Sequence, residues 1–151
     1  MPTSAVGSSK KRSLGFTLME LMVVVAIIAI GSAGVSFALR DASATQLDRE
    51  ATRLAALFEA GRAQSRSSGQ ALRWRPTETG FRFEGAAEGS LPQAWLSDQV
   101  QVLGTPVVVL GPEPIIGPQE VRLASRAQPD RHVRVATDGL RPFRVGEESA
   151  P

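Results

Sequence analysis

Between Phe16 and Leu39 the chain carries 24 residues with one charge, Glu20, and no proline. As a helix this run would be about 36 Å long, enough to cross a hydrocarbon core of about 30 Å. Few folds accept so long an apolar stretch, so it divides the chain before any other feature is considered. Lys10, Lys11 and Arg12 precede it. By the positive-inside rule they orient the amino terminus toward the cytoplasm and the rest of the chain across the membrane. A signal anchor or a secretory signal with a small-residue cut site near Gly31 to Gly34 has the same general layout. Glu20 fits neither easily, because a carboxylate at the centre of a bilayer costs roughly 2.5–3.5 kcal/mol on insertion scales.

The leader also explains the high sequence pI of 9.9. Both lysines and Arg12 lie before Gly15, and beyond it 14 arginines face 15 carboxylates, a balance of −1. A surface of mixed charge has little general attraction for phosphate, which argues against nucleic acid as a partner. Cysteine is absent from the 151 residues, so disulfides and cysteine-bound metals are excluded.

The order Gly15-Phe16-Thr17-Leu18-Met19-Glu20, after a basic leader and before an unbroken apolar run, resembles the type IV prepilin signature. The resemblance implies that a membrane peptidase cuts between Gly15 and Phe16 and that the new Phe16 amino group is methylated. It also gives Glu20 a partner, the amino terminus of a neighbouring subunit. Phe16 and Glu20 are four residues apart, so a helix through both would put them on one face and allow an intrachain pair as well. Ala26, Ala29, Ala33 and Ser36 recur at three- and four-residue spacing, a small-residue stripe that suits close helix approach.

From Asp41 to Ser68 the pattern becomes that of an amphipathic helix. Leu47, Ala51, Leu54 and Phe58 form its apolar stripe, Leu57 lies adjacent, and Asp48, Arg49, Glu50, Arg53, Glu59 and Arg62 are expected on the other faces. Gly69 is a plausible stop. Beyond Ala71 the period changes to two. "ALRWR" and "GFRFEG" read as a hairpin with Leu72, Trp74, Phe81 and Phe83 on one face. "VQVL", "VVVL", "EVRLAS", "HVRVA" and "RPFRV" supply further short strands, with a tight turn at Asp138-Gly139 and a frayed tail from Gly146. The three prolines in "GPEPIIGP" exclude a central strand.

The expected fold is therefore α+β and pilin-like: a long N-terminal α-helix followed by an antiparallel β-rich domain. The expected division is a cleaved leader (1–15), a membrane and assembly helix (16–39), an amphipathic helix (40–69) and a β domain (70–151). Together with the signature, "LFEAGRAQSRSSGQALRWRPTETGFRF", "LGPEPIIGPQEVRLAS" and "VRVATDGLRPFRV" resemble the minor pseudopilins of type II secretion, in the GspH/FimT-like branch. That resemblance implies an inner-membrane protein with a periplasmic domain, incorporated near the tip of a pseudopilus that supports export of folded proteins. Its partners would be the prepilin peptidase, the other minor pseudopilins and the major pseudopilin, and the inner-membrane assembly platform, with secreted substrates as further candidates.

No catalytic constellation is apparent. His132 is the sole histidine and sits in a strand pattern, and there is no G-x-S-x-G, Walker loop or EF-hand spacing. The reading is a non-enzymatic subunit without a cofactor or metal. Two rivals remain at this stage. A minor pilin of a type IV pilus, including the DNA-uptake kind, would use Arg131, Arg134, Arg141 and Arg144 against phosphate. A signal-anchored binding module would keep the anchor and never assemble. Arg73, Arg75 and Arg82 are a further candidate partner face.

Overall fold

The computed structural model describes residues 16–148, and the chain divides into two compact units between Phe37 and Ala38. Helix α1 (Leu18–Ser68) contributes to both. In the first unit every described side chain is exposed, including Val23, Ile27 and Ile30. With no polar side chains on most of this segment, Ser32 and Ser36 satisfy their hydroxyls locally by donating to the carbonyls of Ile28 and Ser32.

The second unit combines the later part of α1 with seven strands. They are β1 (Leu72–Pro76), β2 (Phe81–Glu84), β3 (Val100–Val102), β4 (Val108–Leu110), β5 (Gln119–Ser125), β6 (His132–Thr137) and β7 (Arg144–Glu148). They form two antiparallel sheets, ordered β2-β1-β4 and β3-β5-β6-β7. The long apolar helix followed by antiparallel sheets is the α+β layout that the periodicity implies, and it is pilin-like, as the resemblance of the signature implies. The sheet division is less obvious. "VQVL" and "VVVL" are adjacent in sequence yet belong to different sheets: β4 joins β1 and β3 joins β5.

The core lies where the apolar stripe of α1 meets the inner faces of both sheets. Leu47, Ala51, Leu54 and Phe58 are fully buried against Leu72, Trp74, Phe81, Val121, Leu123, Val133 and Val135. Phe58 stands at its centre. Its ring meets Trp74 edge-on at a centroid distance of 5.3 Å and Phe143 at 4.7 Å, contacts of the kind that add about 0.5–1.5 kcal/mol to area burial. Helix and sheet approach closely at Gly61, where an added Cβ would stand 2.7 Å from Leu110 Cδ1. The helix ends at Ser68, and Gly69 takes the left-handed conformation (φ 68°) that closes many helices.

Two expectations change in this unit. Glu50 and Arg62 do not lie on solvent faces; they are buried, at 2% and 5% exposure. Glu50 is three residues from Leu47 and Arg62 four from Phe58, so the contact with loops reaches round the helix beyond the apolar stripe. The tail also does not fray at Gly146. The β6–β7 ladder runs from Ala136↔Arg144 through Arg134↔Gly146 to His132↔Glu148, so the backbone of residues 146–148 is held by strand pairing, and residues 149–151 lie outside the described residues.

Candidate functional site

The first turn of α1 gives the signature a local geometry. Thr17 lies just before the helix, and its Oγ1 accepts the Glu20 backbone N–H at 3.2 Å while its carbonyl accepts from Leu21 N. Thr17 is thus the N-cap, and Thr17-Leu18-Met19-Glu20 has the residue order of a capping box. Phe16 and Leu21 occupy the two positions of a hydrophobic staple around that cap. Phe16 precedes the helix, so the argument that Phe16 and Glu20 share a helical face does not hold in this structure. Both are exposed. Glu20 has a further role within its own chain: an acid in the first turn is favoured by the positive end of the helix dipole, by about 0.3–1 kcal/mol at an exposed site. The T-x-x-E spacing within the processing signature is itself the sequence signal for this threonine cap. Gly15, Lys10, Lys11 and Arg12 lie outside the described residues.

The arginines that could serve phosphate are mostly engaged with carboxylates. Arg131 donates to both oxygens of Asp48, at 3.2 and 3.0 Å, and so ties the β5–β6 loop to α1. Gln128 strengthens that tie by donating to the Arg40 carbonyl at 2.7 Å. Arg134 pairs with Glu120 at 3.5 Å and Arg141 with Asp138 at 3.8 Å. On the first sheet Arg75 pairs with Glu84 at 3.4 Å, while its cross-strand neighbour is Arg82. Arg73, Arg75 and Arg82 therefore do share the outward face of β1 and β2.

Asp138 is a turn residue. Its Oδ1 accepts the N–H groups of Arg141 and Leu140, at 2.8 and 3.0 Å. Those bonds, the one from Arg141 foremost, hold its carboxyl below the ordinary value of 3.8. Gly139 follows with φ 92°, which suits glycine alone, and an added Cβ would overlap the Ile116 carbonyl. The connection is wider than a two-residue hairpin, since β6 ends at Thr137 and β7 starts at Arg144. His132 is half-buried on β6. Among the described residues there is no group of three or more His, Asp or Glu side chains placed to hold a metal.

Residues 10–36 match the family model described as the prokaryotic N-terminal methylation motif. No curated protein and no solved structure matches the chain. An N-terminal methylation motif and a pilin-like α+β fold are the two features that this chain shares with type IV pilins and pseudopilins, which are in general non-enzymatic subunits of pili or pseudopili. The motif implies processing by a prepilin peptidase and assembly with other subunits. Among the described residues, α1 is the one helix long and apolar enough to cross a membrane, consistent with inner-membrane anchoring.

Proposed function

We propose that this protein is a minor pseudopilin of a type II secretion system, of the GspH/FimT-like kind, incorporated near the tip of the pseudopilus. The carrying observation is the joining of the methylation motif at residues 10–36 to a helix whose later part packs against two short antiparallel sheets. On this reading Lys10, Lys11 and Arg12 hold the leader in the cytoplasm, the peptidase cuts between Gly15 and Phe16, and Phe16 is methylated. The second unit then stands in the periplasm. Glu20 pairs with the Phe16 amino group of a neighbouring subunit as the helix leaves the bilayer, which offsets the cost of carrying a carboxylate through apolar surroundings. The exposed position of Glu20 in the first turn of α1 supports this, because a neighbouring subunit can reach it there.

The arginine pairings favour secretion over DNA uptake. Arg131, Arg134 and Arg141 each face a carboxylate, which lowers their attraction for phosphate. Deleting the chain tests the assignment. Loss of exoprotein export with twitching and DNA uptake intact is expected, and the reverse pattern would assign the protein to a type IV pilus.

A further inference from the structure

The edges of the two sheets are treated unequally. On β4, which pairs with β1 on one side, Val109 is closed off on the other by a side chain. Gln119 Oε1 accepts the Val109 N–H at 2.6 Å, and its Nε2 donates to the Val109 carbonyl at 3.0 Å. A glutamine amide there replaces a neighbouring strand. On β2, Phe81 N–H donates to the Gln93 carbonyl at 2.9 Å. β7 carries Arg144, a charge of the kind that discourages strand addition.

β3 has none of these devices. It holds Val100, Gln101 and Val102, without charge or proline, and pairs only with β5. The direction of its free groups follows from the register. Leu103 N donates to Arg122 O and Arg126 N donates to Gln99 O, at 2.9 and 2.7 Å. In an antiparallel ladder the residues bonded to the partner alternate, so Gln99, Gln101 and Leu103 face β5. The N–H and C=O groups of Val100 and Val102 consequently point away from it. Both residues line a groove of about 730 Å³ whose other walls include the Pro76–Thr79 turn and Trp95. Glu78, Asp98 and Arg126 also line it, and no ion pair joins any of the three to a described residue. The charge of the lining is thus net negative.

We propose that the β3 groove is a strand-addition site for an extended segment of another polypeptide carrying a basic side chain. The free backbone groups of Val100 and Val102 take up to four ladder hydrogen bonds from the incoming strand. Trp95 supplies an apolar wall for one of its side chains, and Glu78 and Asp98 favour a lysine or arginine on it. Main-chain pairing gives the affinity, while the wall and the two acids give the selectivity.

The test uses the full chain in detergent micelles and an acetylated, amidated peptide, Lys-Thr-Val-Thr-Val-Thr, at millimolar concentration. Amide exchange is read residue by residue by NMR. Exchange at Val100 and Val102 should slow by about tenfold, while Gln101, already bonded to β5, should change little. A fully N-methylated form of the peptide should give no protection, and replacing its lysine by glutamate should weaken binding severalfold. Val102→Pro, which removes an outward N–H and leaves the β5 ladder its donors, should weaken binding by roughly two- to tenfold. Should that variant misfold, the peptide controls on the natural chain still decide. Unchanged exchange at Val100 and Val102, or equal protection by the N-methylated peptide, would overturn strand addition. Equal binding of the glutamate peptide would overturn the basic partner.

Discussion

Replacing Glu50 by alanine removes a buried anchor without touching the apolar core. Glu50 is 2% exposed and holds two groups at once. Its Oε1 accepts the Leu96 N–H at 2.6 Å, and its Oε2 takes Arg53 at 3.3 Å. Arg53 in turn donates to the Ala94 carbonyl at 3.0 Å. Two ties from α1 therefore fix the loop that carries Trp95. Hydrogen bonds to a charged group are worth about 1.5–3 kcal/mol each, and a buried pair that loses one partner costs about 3–5 kcal/mol. The Arg53 side chain is 23% exposed and regains water, so the loss falls at or below the lower end of the buried-pair range. A loss of about 2–3 kcal/mol follows, or about 8–12 °C in Tm for a unit of this size at roughly 4 °C per kcal/mol. Glu50→Gln keeps an acceptor for Leu96 N–H and should lose only about 1 kcal/mol. Thermal unfolding of the full chain in detergent, followed by tryptophan fluorescence, reads both. A fall below about 2 °C for the alanine variant, or equal falls for the two, would refute the anchor.

Three further outcomes are expected. Gly139→Ala should destabilise the second unit by about 1–3 kcal/mol in the same unfolding assay, because it places a Cβ at positive φ against the Ile116 carbonyl. Asp138 has a folded-state value below its unfolded one, so its contribution is present above the unfolded value of 3.8 and is lost as pH falls through the lower folded value. The stability gap between the natural chain and Asp138→Asn should accordingly be open at neutral pH and close in acid, as followed by unfolding across pH. Glu20→Val should insert normally into membranes but enter the fibre poorly, as read by fractionation and cross-linking; normal incorporation would remove the pairing role.

The parts of the fold set by periodicity were legible in the chain. The stripe Leu47-Ala51-Leu54-Phe58 and the alternation around Leu72, Trp74, Phe81 and Phe83 mark buried faces, since burial follows the repeat of the backbone. Features that depend on which distant segment arrives were not. Glu50 and Arg62 look like solvent residues until the loops at Leu96 and Pro114 come to meet them. Gln119 looks like an ordinary strand residue, and only the tertiary fold brings its amide to Val109. The openness of β3 is of the same kind, because pairing across two sheets is not written in local alternation. The signature itself was fully legible, although its threonine does double service as a helix cap.

Pairing of Glu20 with a neighbouring amino terminus requires maturation at Phe16, and intact-mass and N-terminal peptide analysis of the protein from its native membrane tests that directly. A chain beginning at N-methylated Phe16, cut from Gly15, is the predicted result. An intact Met1, or a terminus created by cleavage after Ala33, would contradict it.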